Sequence, residues 1–325
     1  MMSYSDYIDI NEKYILDEKG IIRENKIYSK QQEQTKDTFA YKWRGGAHKS
    51  SYKSETVYQN LKEWLWDKYF DNNEEFFLRV FAENAIVLDA GCGAGLSASA
   101  LISDRMNSIQ YIGVDISYAI DEAYEVFVKK GYTHCIFIQG DLNSIPLKTK
   151  VDVIFSEGVL HHADSTRNAI INLSKHLKNG GYFCFYVYAK KAPIREFTDD
   201  YIRGYFKDKD NEQTWDELEA LTRFGKKLGD MNIVLDIDDD IPFLGIKKGR
   251  IDLQRFFYWN IFKCYYRPEY NLEEMNHINF DWYRPTNCHR QTPEEVSKWC
   301  EEAGLEIERM HVEEAGITVV AKKIN

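Results

Sequence analysis

Apolar positions at helical spacing begin at Thr56, where Tyr58, Leu61, Leu65 and Tyr69 would share one helix face behind a Ser54 N-cap. From there, short apolar runs and helical stretches alternate. Ile86–Ala90, Gln110–Val114, His134–Ile138, Val151–Phe155 and Tyr182–Tyr188 predict strands. Gly95–Asp104, Tyr118–Lys130 closed by Gly131, and Asn168–Leu177 ended by Asn179-Gly180-Gly181 predict the helices between them. Strands that are apolar almost throughout belong to a parallel sheet covered on both faces. The pattern pauses after Ala189 and resumes at Thr292-Pro293-Glu294-Glu295, a capping box with proline at the first helical position. That helix runs to Ala303 and stops at Gly304. Two closing strands follow, Leu305–Val312 and Ile317–Ala321.

Two stretches stand outside the alternation. Residues 1–54 are polar and aromatic without sustained period, and Asp17-Glu18-Lys19-Gly20 predicts a hairpin turn between Tyr14–Leu16 and Ile21–Ile22. Residues 190–291 hold helical patterns, among them Trp215, Leu218, Leu221, Phe224 and Leu228. They also hold an acidic run at Asp236–Asp240, read as a solvated loop, and the aromatic-rich Leu253–Tyr266. The expected organisation is an N-terminal arm or lid (1–54), an open α/β domain (55–189 and 292–325), and a mainly helical substrate cap (190–291) inserted after the fifth strand. The expected fold is a mostly parallel, seven-stranded sheet with helices on both faces. The insertion leaves from a strand's carboxyl end, the side on which such sheets bind ligands.

Composition narrows the function. The 325 residues carry 42 basic and 52 acidic side chains, a net −10. That argues against a nucleic-acid backbone as the main partner, since such binding rests on Lys and Arg neutralising phosphate. No apolar run approaches the ~20 residues of a membrane span, and Met1–Ile10 lacks the features of a secretory signal. Six cysteines are scattered, with no CxxC and no Cys/His cluster at zinc spacing, so no metal is expected and a reducing cytoplasm is.

The candidate chemistry sits in Val87-Leu88-Asp89-Ala90-Gly91-Cys92-Gly93-Ala94-Gly95, a strand running into a glycine turn and a helix. Glycines admit a ligand close to the backbone, and the helix N-terminus points N–H groups at it. A dinucleotide site would want G-x-G-x-x-G. Here the spacing is G-x-G-x-G, with Leu96 in the third dinucleotide position and Asp89 just before the turn. An acid there suits a cofactor bearing an ammonium and a sulfonium better than a pyrophosphate.

LDAGCGAG resembles the first motif of the class I S-adenosylmethionine-dependent methyltransferases, and three later features fall in that family's order. Tyr111–Ser117 is a strand ending in Asp115, 24 residues after Gly91; Gln139-Gly140-Asp141-Leu142 ends the third strand; and Val151–His162 resembles the fourth-strand segment of the small-molecule, or type 11, branch. The resemblance spans about Ile86–Tyr188, with Thr292–Lys323 matching in topology. It implies a Rossmann-like fold and S-adenosylmethionine as cofactor, with S-adenosylhomocysteine as product. It implies that Asp115 binds the ribose hydroxyls and Ile116 packs on adenine, while Asp141 and the Leu142 backbone read the adenine. Asp89, Gly91, Cys92, Gly93, Gly95 and Glu157 complete the expected cofactor set, with Cys92 as a space-filler.

His161 and His162 follow the fourth strand. His161 is either a general base, since imidazole titrates near neutral pH, or a packing residue; His162 fits packing better. His289 and Tyr283 are further base candidates, from a Phe280–Pro285 and His289-Arg290 segment resembling one in sugar- and antibiotic-type members of the branch. Phe39–Arg44 resembles arms that fold over the cofactor. The expected reaction moves a methyl group to an O or N, less readily a C or S, of a small molecule such as a sugar, lipid or natural-product intermediate. Two alternatives stay open: an RNA methyltransferase on the same fold, and a non-catalytic S-adenosylmethionine-binding scaffold. The expected partner is a small-molecule substrate, not a membrane or nucleic acid, and a homodimer is open.

Overall fold

The computed structural model describes residues 4–43 and 55–324. Ser54, expected as an N-cap, and Arg44 lie outside them. Contacts divide the chain into two compact units. One holds the N-terminal residues with Tyr58–Ala189 and His289–Asn325, and the other centres on Lys190–Cys288.

The first unit is built on one nine-stranded sheet. Its strands are β1 (Tyr14–Leu16), β2 (Ile22–Glu24), β3 (Ile86–Ala90), β4 (Gln110–Asp115), β5 (Cys135–Gln139), β6 (Val151–Glu157), β7 (Leu177–Tyr188), β10 (Leu305–Val312) and β11 (Gly316–Lys323), in the order β1-β2-β5-β4-β3-β6-β7-β11-β10. Strands β3 to β7 pair with one another in parallel, whereas β11 runs antiparallel to both β7 and β10. The connections leave β3 toward β4 on one side and β6 lies on the other. The chain therefore reverses its winding at β3, and a crevice opens at the carboxyl ends there.

Nine strands replace the expected seven because the N-terminal hairpin joins the sheet. Strand β2 pairs in parallel with β5, Ile22 opposite Ile138 and Arg23 opposite Gln139. Ile21 and Ile22 are fully buried. Arg23 anchors the edge through Asp17 at 2.7 Å, Asp121 at 2.6 Å and Gln139 at 3.0 Å. The expected seven are the remaining strands.

A second departure is at Asn179-Gly180-Gly181. The helix before it, α6 (Thr166–Ser174), stops earlier, and the three residues lie inside β7. Val151 pairs with Leu177 but Val153 with Tyr182, so the strand carries an extra loop of residues. Gly180 at φ +81° makes that detour without strain.

Successive strand residues face opposite cores, as a doubly covered sheet requires. Leu88, Ile112, Ile138, Ile154 and Phe183 pack on one face; Val87, Tyr111, Phe137, Val153 and Cys184 pack on the other. Helices α1 (Lys30–Trp43), α2 (Glu55–Phe70), α3 (Glu74–Val80), α4 (Leu96–Leu101), α5 (Ala119–Lys129), α6 and α11 (Pro293–Glu302) complete this unit. The Thr292 capping box forms as read, Thr292 Oγ1 accepting from Glu295 N and Glu295 from Thr292 N.

The second unit is mainly helical: α7 (Pro193–Phe206), α8 (Asn211–Asp230), α9 (Leu253–Asn260) and α10 (Leu272–Tyr283), with a hairpin of β8 (Val234–Ile237) and β9 (Gly249–Asp252). Asp236 lies in β8, and Asp238–Asp240 are exposed in the turn after it. Trp215, Leu218, Leu228, Cys264, Met275 and Phe280 are buried in this unit. Among the described residues no helix is long and apolar enough to cross a membrane.

Candidate active site

Strand β3 ends at Asp89-Ala90 and passes the chain into the glycine turn. Gly91, Gly93 and Gly95 take φ of +87°, +51° and +73°, a region that costs any other residue strain. A Cβ on Gly91 would lie 2.3 Å from the Val159 side chain, and one on Gly95 would lie 2.6 Å from the Phe127 ring. The Gly91 and Cys92 N–H groups donate to Val114 O at 2.8 and 3.0 Å, tying the turn to β4. Gly95 then caps α4, and no side chain caps the first N–H groups of that helix.

Three carboxylates stand around this turn, each in a different electrostatic state. Asp89 is buried, and the Tyr111 hydroxyl donates to its Oδ2 at 2.6 Å. Burial, aided by the charges of Asp115 and Glu157, pushes this carboxyl up to about 7 against the pull of that hydrogen bond. Asp115 ends β4. Its Oδ2 accepts from Gly93 N–H at 2.9 Å, and its Oδ1 accepts from Ser117 N–H at 2.8 Å and Ser117 Oγ at 2.6 Å. Burial raises this carboxyl too, with the three hydrogen bonds opposing. A carboxylate offers about four acceptor positions, so one on Oδ2 is left for a ligand. Ile116 beside it is half-buried.

Asp141, after β5, departs from the expectation. Its Oδ1 accepts from Asn143 N–H and Nδ2, both at 2.9 Å, and its Oδ2 accepts from Lys26 Nζ and Gln32 Nε2, both at 2.9 Å. Burial would raise this carboxyl, but these donors hold it below the usual carboxylate range. An adenine amine would reach it only by displacing Lys26 or Gln32. Leu142 is half-buried and packs against the core.

Glu157 also departs from its expected place in the cofactor set. Lys68 Nζ lies 2.6 Å from Oε1 and the Tyr69 hydroxyl donates to Oε2 at 2.7 Å. Lys68 is itself 1% exposed, with its ammonium 3.3 Å from the Trp64 ring centre and 4.0 Å from that of Tyr186. Burial draws this ammonium down to about 8 despite Glu157. Glu157 is thus the anion of a buried pair that ties α2 to β6. Lys68, Tyr69 and Tyr111 were missed from sequence because a helical stripe or an apolar strand accounts for each without a partner. The spacing of Trp64 and Lys68, four apart on one helix face, was the available signal. Cys92 is buried, and burial pushes its thiol well up, which suits a space-filler.

The histidines meet at the far end of β6. His161 and His162 form a short 3-10 turn with Leu160. The His161 ring is fully buried and stacks on Tyr188 at 3.7 Å; Phe39 of α1 meets His162 edge-on at 5.2 Å. His289 N–H donates to His161 O at 2.9 Å, and the His289 Nε2 atom is buried without a hydrogen-bond partner. The sheet unit therefore brings His161 and His289 together. Tyr283 belongs to the other unit. Its hydroxyl donates to Asp199 Oδ1 at 2.7 Å and lies 3.0 Å from Lys263 O, and burial pushes the phenol well up, so it is poorly suited to take a proton.

Residues 82–224 match a family model described as "Methyltransferase domain". Over those residues, somewhat less than half of its length, the chain is similar to a methyltransferase domain. Among curated proteins, the ubiquinone biosynthesis O-methyltransferase of Rickettsia conorii is 26% identical over 95 residues, which is 29% of this chain and 32% of that protein. The malonyl-[acyl-carrier protein] O-methyltransferase of Calditerrivibrio nitroreducens is 30% identical over 105 residues, 32% of this chain and 39% of that protein. The tRNA U34 carboxymethyltransferase of Shewanella frigidimarina is 27% identical over 121 residues, 37% of this chain and 36% of that protein. The matches therefore span between about a third and two-fifths of these relatives.

Proposed function

We propose that the protein transfers a methyl group from S-adenosylmethionine to an oxygen or nitrogen of a small molecule. The observation that carries this reading is the glycine turn after β3, closed by sterics at Gly91 and Gly95, with the buried Asp89 before it and Asp115 hydrogen-bonded to Gly93. These residues fit the cofactor. The turn supplies close backbone, Asp89 supplies a carboxylate for an ammonium, and Asp115 retains an acceptor for a ribose hydroxyl. When bound, S-adenosylmethionine supplies a methyl group already activated on a sulfonium. The protein's own task is then to align the acceptor, exclude water and, for a hydroxyl or ammonium acceptor, remove a proton.

His161 is our first assignment for that proton, with His289 beside it as second; a positioned base is worth roughly 10²–10⁴ in rate. Ile116 and Leu142 would flank the adenine, and Asp141 would join only after exchanging a donor from Lys26 or Gln32. Calorimetric titration with S-adenosylmethionine, S-adenosylhomocysteine and NAD tests the reading. The two adenosyl sulfur compounds should bind and NAD should not; tight NAD binding would falsify it. A fall in methyl transfer of roughly 10²–10⁴ in His161→Gln with cofactor affinity kept is expected for His161 as the base.

A further inference from the structure

The inserted unit gathers cations around one indole. Lys263 Nζ and the Arg203 guanidinium lie 4.8 Å from the Trp282 ring centre, the Arg195 guanidinium 5.3 Å and Lys191 Nζ 5.6 Å. Trp282 is 2% exposed, Arg195 0% and Lys263 6%. Charges this deep are normally paired, because an uncompensated buried cation is costly.

Among the described residues, the acids nearby form no close ion pair with the Lys263 ammonium and no hydrogen bond with Arg195 Nη2. Asp199 is buried, and its carboxylate already accepts from Arg195 Nε at 3.0 Å, Trp282 Nε1 at 2.8 Å, Tyr283 OH at 2.7 Å and Lys263 N–H at 3.2 Å. Asp200 is exposed and pairs with Arg203 at 2.9 Å. Glu196 accepts from the Lys191 backbone at 2.8 Å, and Asp281 acts on Lys263 only at longer range. On Arg195, Nη1 donates to Tyr258 O, whereas Nη2 has no hydrogen-bond partner. Among the described residues no ion pair reaches the Lys263 ammonium.

We propose that Arg195 Nη2 and the Lys263 ammonium form an oxyanion site within the inserted unit, taking the carboxylate or phosphate group of a small molecule. The site does not rest on the methyltransferase reading. Arg195 Nη2 carries two N–H donors, neither with a hydrogen-bond partner, and Lys263 adds a point charge. That pairing suits either oxyanion. Burial draws the Lys263 ammonium down to about 7, with Asp281 opposing that fall and Arg195 adding to it.

The test is the melting temperature of the full chain in inorganic phosphate and in acetate, each against chloride at matched ionic strength. A ligand that binds only the folded state raises it. In the parent, one anion should give a saturable rise of roughly 2–4 °C at tenfold above half-saturation. A larger rise with phosphate assigns a phosphate group, and a larger rise with acetate assigns a carboxylate. Lys263→Met keeps the apolar stem and removes the charge. It should melt no lower than the parent in chloride and lose the anion effect. Lys263→Gln serves the same comparison if the methionine variant does not fold. No rise above chloride with either anion, or an equal rise in the variants, overturns the proposal. A parallel S-adenosylmethionine titration separates the two readings. An anion effect without cofactor binding removes the methyltransferase assignment and keeps the site; cofactor binding without an anion effect removes the site alone.

Discussion

Asp89 carries a charge that depends on what faces it. Its carboxyl is raised from 3.8 to about 7 by burial, so between those values the folded chain holds a proton that the unfolded chain has lost. The stability this group contributes is full below about pH 4 and is lost as pH rises through 7. Melting temperature should therefore fall from pH 5 to 8, and Asp89→Asn should flatten that fall; an unchanged slope in the variant would remove Asp89 as the cause. A cofactor ammonium needs the carboxylate form. Binding at pH 7 should then release roughly half a proton, read as a dependence of calorimetric heat on buffer ionisation enthalpy. The other two acids differ in what they have left to give. Asp115 keeps an acceptor position, whereas all of Asp141's are filled by Asn143, Lys26 and Gln32. Asp115→Ala should weaken S-adenosylmethionine by about 10–100-fold, since charge-assisted hydrogen bonds are worth roughly 1.5–3 kcal/mol each, and Asp141→Ala by less. Equal losses in a titration would undo that assignment.

The turn between β3 and α4 is fixed by two separate constraints, sterics and backbone angle. Val159→Ala should therefore rescue Gly91→Ala only in part, because it removes the 2.3 and 2.4 Å contacts but leaves the Cβ of residue 159 at 2.8 Å and φ at +87°. Denaturant unfolding of the single and double variants reads this, and full rescue would show that neither the angle nor the remaining 2.8 Å contact carries a cost. The α2–β6 tie behaves differently. Lys68→Met alone strands Glu157 and should cost about 3–5 kcal/mol, whereas Lys68→Met with Glu157→Gln should cost much less, since removing both partners of a buried pair is far cheaper than removing one. This contrast also marks what could be read from the chain. Ile86–Ala90, the Thr292 cap and the order of Asp89, Asp115 and Asp141 were legible because strand period, capping chemistry and motif spacing are local. The pairing of β2 with β5, the Asn179-Gly180-Gly181 detour within β7, and Lys68 beneath Glu157 were not. Each depends on a partner more than 25 positions away, and local pattern alone does not specify it.

Taken whole, the molecule's charge bears on the RNA alternative. The net −10 is spread over a surface on which several cations are already paired with acids, among them Lys19 with Glu125, Arg167 with Glu302, Lys209 with Glu217, Arg223 with Glu219 and Lys226 with Asp230. Such exposed pairs are individually weak, so they would yield to a phosphate, but each exchange would leave an acid facing the polyanion. A tRNA partner would need several free Lys or Arg contacts, and each would add about 0.9 to the slope of log affinity against log salt. The expected outcome is that bulk tRNA is not retained in filter binding at about 150 mM salt, where a Debye length near 8 Å screens long-range attraction. Labelled methyl from S-adenosylmethionine should then appear in the small-molecule fraction of a cell extract and not in its RNA. Retention of tRNA at that salt with a steep salt slope, together with label in the RNA, would instead favour a nucleic-acid acceptor, the class that the tRNA-modifying relative from Shewanella frigidimarina represents.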